Sequence, residues 1–210
     1  VTVLTHTQPT ITLGSVFGGD GYLNLNEANS GQTISGTSTN AVGSTVSVNV
    51  AGNVLTTTVG SNGAWSVTVP SGTLRNINDG SQTLTVSVSD AGGNTANAST
   101  TFTAITRNVP QVGVDPVLNL VNYLLFGLTI SGGTRNLAQG SRVKVTLQGV
   151  SQNATVDAFG RYSVHYSSSL LGGLLINLNS IVTVSAVDVA GNTASTTTTL
   201  LLGSLLPVAA

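Results

Sequence analysis

The feature that most constrains this chain is a stretch written twice. Residues 87–96 read Ser-Val-Ser-Asp-Ala-Gly-Gly-Asn-Thr-Ala, and residues 185–194 read Ser-Ala-Val-Asp-Val-Ala-Gly-Asn-Thr-Ala, so that Asp90 and Asp188 stand 98 residues apart. In each copy an alternating strand runs into an aspartate, turns through glycine and asparagine, and returns as a threonine-rich strand. Three more segments match in the same order: Ile34-Ser35-Gly36 with Ile130-Ser131-Gly132, Ser44–Val48 with Ser141–Val145, and Gly63–Val67 with Gly160–Val164. A repeat of about half of a 210-residue chain predicts two tandem domains of roughly 90–100 residues, each able to bury its own core.

The segments between the turns read as strands. In Thr45-Val46-Ser47-Val48-Asn49-Val50 valines occupy one face and polar residues the other, which is the period of a half-buried strand. Thr10–Leu13, Gln32–Gly36, Val54–Val59, Ala64–Val69, Thr83–Ser89 and Asn94–Thr103 follow the same grammar, with turn chemistry at Ala51-Gly52-Asn53, Gly60–Gly63 and Asn78-Asp79-Gly80. Trp65, Val67 and Val69 are expected inward, as are Leu84, Val86 and Val88. No window of ten or more residues has helical periodicity, and 18–27 reads as a loop carrying two acids. Strands every eight to twelve residues with turns between them predict antiparallel β-sandwiches.

Composition narrows the function. Charged residues make up only 6% of the chain and hydrophobic residues 40%; this is not the charged, apolar-poor make-up of a disordered segment. Net charge is −1, and the six basic residues are scattered, so no stripe exists to neutralise phosphates and a nucleic-acid partner is not expected. There is no cysteine, hence no disulfide framework and no thiolate metal site. The longest apolar stretches, Leu124–Leu128 and Leu200–Leu202, fall far short of the ~20 residues of a membrane span. Val1–Leu4 reads as the tail of a preceding strand, which makes the chain an excerpt of something longer. With two histidines, His6 and His165, and no nucleophile elbow, histidine-rich metal motif or phosphate-cradling loop, no enzyme is expected.

The candidate site residues are acids in turns. Asp90 and Asp188 open their turns, where a carboxylate either caps backbone N–H groups or ligates a metal. Asp20 with Glu27 reads either as a calcium-binding pair aided by loop carbonyls or as a solvated loop. Asp157 and Asp79 read as turn residues, and Trp65 and Tyr162, at equivalent inward positions, as core aromatics rather than a sugar platform. The apolar runs Leu118–Ile130, Leu170–Leu175 and Leu200–Val208 suggest that the second domain packs against a neighbour.

These residues resemble the bacterial Ig-like repeats of giant type I-secreted adhesins, among them biofilm-associated proteins. The resemblance rests on the two Asp…Gly-Asn-Thr-Ala turns, on Gly63-Ala64-Trp65-Ser66-Val67, on the run Gly19–Ala28, and on the proline-terminated linkers ending at Pro9 and Pro110. It implies an all-β fold of two tandem Ig-like sandwiches: the end of a preceding repeat and linker at 1–9, a first domain at 10–104, a linker at 105–110, a divergent second domain at 111–203 and a tail at 204–210. It also implies a secreted, cell-surface spacer or adhesive repeat serving cell adhesion and biofilm formation, with no transmembrane segment. Its partners would be neighbouring repeats of the chain, sister adhesin molecules, and host or abiotic surfaces. Such repeats commonly bind calcium at their junctions, and the resemblance implies Asp20, Glu27, Asp90, Asp115 and Asp188 as the ligands. The linker aspartate usual in that family is replaced by Thr5 and Thr106 here. At an offset of 96, Asp20 maps to Pro116, one position from Asp115, and Glu27 to Tyr123. The alternatives are a glycan- or ligand-binding adhesion module, a homophilic self-association module, and an ice- or mineral-binding threonine array at Thr56–Thr58 and Thr196–Thr199.

Overall fold

The computed structural model describes residues 7–116, 126–171 and 179–200. The chain divides into two compact units, Val1–Asn108 and Val109–Ala210. The apolar runs at 118–125, 172–175 and 201–208, and the opening residues 1–4, lie outside the described residues.

The first unit is a sandwich of two sheets. One has three strands in the order β1 (Thr10–Ile11), β3 (Gln32–Thr39), β6 (Ala64–Val69). The other has five, in the order β2 (Tyr22–Asn24), β8 (Thr95–Ile105), β7 (Gly80–Ser89), β4 (Thr45–Val50), β5 (Asn53–Thr58). Every pair is antiparallel except β2 with β8. The alternation read from sequence is the alternation of burial: Val46, Val48 and Val50 face Leu84, Val86 and Val88 within one core, and Trp65 and Val69 close it from the other sheet. Phe17 and Phe102 meet edge to face in that core, with ring centres 4.6 Å apart. At the β4–β5 hairpin Ala51 and Gly52 both have positive φ, 50° and 90°, the backbone of a type I′ turn whose twist matches that of its strands. Asn49 Oδ1 accepts from the Gly52 N–H at 2.8 Å and fixes it.

The second unit repeats the plan. Its three-stranded sheet runs β13 (Arg161–Tyr166), β10 (Leu128–Arg135), β9 (Gln111–Val112), and its four-stranded sheet β12 (Val150–Thr155), β11 (Arg142–Leu147), β14 (Ile181–Val187), β15 (Thr193–Thr199). Val143, Val145, Leu147, Val182 and Val184 pack with Ile130, Tyr162 and Tyr166. The hairpin turn is again left-handed at two residues, Gln148 and Gly149.

Three sequence expectations change. Residues 18–27 are not an open loop. They form a 3-10 turn at Phe17–Gly19, then β2, then the helix α1 (Leu25–Ser30). A six-residue helix is too short to leave a periodic signal; its trace is the capping box, in which Asn24 Oδ1 accepts from the Glu27 N–H at 2.9 Å and a Glu27 oxygen accepts from the Asn24 N–H at 3.0 Å. Second, Asp79-Gly80 is not a turn alone, since Gly80 opens β7 and Asp79 binds the end of the unit, as described below. Third, the offset of 96 does not hold ahead of β10. The Gly14 N–H donates to Ser35 O and the Asp115 N–H to Ser131 O, both at 2.8 Å, so Asp115 corresponds to Gly14, at a spacing of 101. The second unit has five fewer residues there, and Asp115 is not the counterpart of Asp20.

Candidate functional site

The two organising turns are the same object at the atomic level. Asp90 Oδ1 accepts from the N–H groups of Gly92 (2.8 Å) and Asn94 (2.9 Å), and Oδ2 accepts from the Asn94 side-chain amide at 2.9 Å. Asp188 Oδ1 accepts from Ala190 and Asn192, both at 2.9 Å, and Oδ2 from the Asn192 amide at 2.9 Å. Each asparagine is therefore the second half of a carboxylate–amide clasp that closes the β7–β8 or β14–β15 connection. Asp157 makes a related turn, accepting from the N–H groups of Phe159 and Arg161 at 2.8 Å.

Asp20 and Glu27 are brought into one region of the first unit. Asp20 Oδ1 accepts from the Tyr22 N–H at 2.9 Å. The Glu27 carboxyl is raised above its ordinary range, chiefly because it is partly buried, with the Asp20 charge pushing the same way and the bond from Asn24 pulling against both. Gly18, at φ 69°, leaves the space beside Glu27 Oε1, where a Cβ would stand 3.0 Å away. Asp115 lies in the second unit, accepting from Ser131 Oγ at 3.0 Å and paired with the Arg161 guanidinium. Among the described residues no three of His, Cys, Asp and Glu gather as a metal-binding group. A calcium ion takes six to eight oxygens. Among the five acids expected as ligands, Asp90 and Asp188 bond backbone and amide donors through both oxygens, Asp115 pairs with a cation, and Asp20 and Glu27 are the two whose charges interact.

Asp79, expected to be a turn residue, instead accepts from three successive residues at the end of the first unit. Its oxygens accept from the N–H groups of Thr106 (2.8 Å), Arg107 (3.2 Å) and Asn108 (2.8 Å), from Thr106 Oγ1 (3.2 Å) and from the Asn108 amide (3.0 Å). Arg107 in turn donates to Asn78 Oδ1 and Asn76 O. Burial pushes the Asp79 carboxyl up, but the three N–H groups and the Thr106 hydroxyl outweigh it and hold the group below its usual range. Thr106 is thus a donor to an aspartate supplied from elsewhere in the fold. The partnership spans 27 residues, and no local pattern announces it.

His165 stands exposed on β13 beside Thr129, whose Oγ1 is 3.1 Å from its Nδ1. Trp65 and Tyr162 are core residues, each 3% exposed, and each lies across a glycine on the neighbouring strand, Gly36 and Gly132. Tyr162 donates to Gly113 O at 2.7 Å, whereas the buried Trp65 indole N–H has no partner among the described residues.

The fold is a pair of Ig-type sandwiches in which Asp79, Asp90, Asp157 and Asp188 hold turns and a strand end. Residues 24–105 match the family model of the bacterial Ig-like domain. The first unit belongs to the bacterial Ig-like domain family. No curated protein matches. Among solved structures it is similar to a Ca2+-stabilized adhesin that helps an Antarctic bacterium reach out and bind ice, at 29% identity over 95% of this chain and 49% of that one, with a TM-score of 0.52. A structure from a 1.5-MDa bacterial ice-binding adhesin matches at 28% identity over 94% of this chain and 65% of that one, TM-score 0.49. A bacterial immunoglobulin-like domain of the M. primoryensis ice-binding adhesin is 34% identical over 48% of this chain and 99% of that one, TM-score 0.36. The chain spans less than two thirds of either of the first two structures.

Proposed function

We propose that the chain is a segment of structural spacer repeats in a large bacterial surface adhesin, serving cell adhesion and biofilm formation, and itself non-catalytic. The observation that carries this reading is the duplicated clasp: in both units the carboxylate that opens the turn has its two oxygens committed to holding strands together. The likeness to a Ca2+-stabilized adhesin over 95% of the chain supports the same reading. In it the repeats are bounded at 10–104 and 111–203 and joined by 105–110. The parent protein is exported by type I secretion and held at the cell surface, and the partners are neighbouring repeats, sister molecules or the surface gripped. Calcium is assigned to Asp20 and Glu27, with loop carbonyls and water making up the shell, while Asp90, Asp115 and Asp188 are structural.

Two experiments test the reading. Replacing the segment within its parent adhesin by an unrelated pair of sandwiches of equal length should preserve attachment, and deleting it should reduce attachment. Attachment lost on replacement would show a specific adhesive role instead. For calcium, calorimetry of the 210-residue chain with calcium or chelator decides: saturation at ~100 times the dissociation constant adds about 2.7 kcal/mol, a rise of roughly ten degrees for a domain of this size. A rise confined to one transition and removed by Asp20→Ala supports the assignment. Transitions unmoved by calcium remove the metal from it.

A further inference from the structure

The two units differ sharply at one place on the outer face of the three-stranded sheet. In the first unit the β1 edge is closed by threonines: Thr10 and Thr39 join hydroxyls at 2.6 Å, Thr12 and Thr37 at 2.7 Å. In the second unit the register is the same, with Gln111 opposite Arg135 and the Gly113 N–H donating to Gly133 O at 2.9 Å as the Thr12 N–H donates to Thr37 O. The inner threonine pair has thus become a pair of glycines, Gly113 and Gly133. A groove of about 320 Å³ lies at this pair, lined by residues 111–115 and 133–135. Its ends carry charge: Arg135 with Gln111 at one, and Asp115, paired with the Arg161 guanidinium, at the other. Neither glycine has a positive φ, and a Cβ on Gly113 or Gly133 would come no closer than 3.8 Å or 4.0 Å to its neighbours. Backbone geometry does not require glycine at either position. What glycine provides is the open space.

We infer that this groove is a binding site for an anionic sugar residue of the uronic-acid class. The Arg161–Asp115 pair is neutral as a unit, which leaves the Arg135 guanidinium as the net charge, suited to one carboxylate in a two-bond grip. The Gln111 amide and the Asp115 carboxylate supply the donors and acceptors that ring hydroxyls need, and the bare glycine backbone admits a ring at close approach. At the low end of ligand-pocket volumes, roughly 300–1,000 Å³, the groove suits a single ring better than a folded partner. The inference adds to the spacer reading and does not depend on it.

The test is an NMR titration of the whole chain with sodium glucuronate, with glucose as the neutral control and polyglucuronate to separate a free sugar acid from a residue within a polymer. Glucuronate should shift amides around Gly113, Gly133 and Arg135 but not their first-unit counterparts Thr12, Thr37 and Thr39, and glucose should not. Arg135→Gln should weaken binding about tenfold or more, and the double substitution Gly113→Thr with Gly133→Thr, which rebuilds the threonine pair of the first unit, should abolish it. Polyglucuronate binding alone would assign the site to polymer chains, and binding of both to the sugar acid in either form. No shift with either up to about 20 mM, where a millimolar ligand would be bound, overturns the inference. So do equal binding of glucose, or binding unaltered by both Arg135→Gln and the threonine pair.

Discussion

Asp79 shows how much of this fold rests on single carboxylates in a chain with so few charges. It gathers the backbone of 106–108 at the end of the first unit, and its held-down ionisation ties stability to pH. A carboxyl whose folded value lies below its unfolded value, about 3.9, contributes stability above that value and loses it as pH falls through the folded one. Asp79→Asn should therefore flatten the acid limb of the first unit's melting curve, and Asp79→Ala should lower its transition at neutral pH by about 1–2 kcal/mol, or roughly 5–15 °C. Glu27 has the opposite sign. Its carboxyl is raised by burial and by Asp20, so its charged form costs stability at neutral pH, and Glu27→Gln keeps an acceptor for the Asn24 N–H while removing that charge. Without calcium, this variant should melt at or slightly above the parent at pH 7. A large loss would show that the charge itself is used.

At the scale of the element, the glycine–aromatic pairs are the parts with the least slack. A Cβ on Gly36 would stand 2.0 Å from Thr12 O and 2.7 Å from the Trp65 ring, and one on Gly132 would stand 1.9 Å from Gly113 O and 2.5 Å from the Tyr162 hydroxyl. Gly36→Ala should cost the first unit about 3 kcal/mol or more, seen as loss of one calorimetric transition while the other stays. This bears on what was legible in the sequence. Alternating valines gave strands, inward faces and the repeat because each of those signals is local. Ile34-Ser35-Gly36 and its copy at 130–132 were legible as a match, but the reason for the glycine was not, because the aromatic that lies over it comes from a strand about thirty residues on. The clasp of Asp90 was legible as turn chemistry within five residues. The hold of Asp79 on 106–108 was not, and neither was the groove at Gly113 and Gly133, which appears only when β9 is laid beside β10. Helix α1 was not legible: six residues are too few to show a period against the prevailing strand pattern, and Asn24 and Glu27 read as a capping box only once the helix between them is known.

For the whole molecule, the two units should answer to opposite ends of the pH scale. The first holds the depressed Asp79, whose loss in acid the raised Glu27 of the same unit offsets in part. The second holds Tyr162 and Tyr166, both raised mainly by burial, Tyr166 to about 12. Tyr166 donates to Val145 O at 2.8 Å and, more weakly, to Val150 O at 3.3 Å, and Tyr162 to Gly113 O, so ionisation would remove the donated proton as well as bury a charge. The sign here follows from a raised value: the contribution is fully present below the unfolded tyrosine value, about 10, and is lost as pH rises through the folded one. Among the described residues the first unit has a single tyrosine, Tyr22, which is not part of its buried core. Calorimetry between pH 3 and pH 11 should therefore show two transitions that separate at both extremes in reverse order, the first unit melting earlier in acid and the second earlier in alkali. Tyr166→Phe should cost the second unit about 1–3 kcal/mol at neutral pH, because the Val145 and Val150 carbonyls lose a donor. It should also blunt the alkaline limb. Transitions that move together across the whole range would show that the two units unfold as one, and the assignment of acid sensitivity to Asp79 and alkaline sensitivity to the tyrosines would fall with that result.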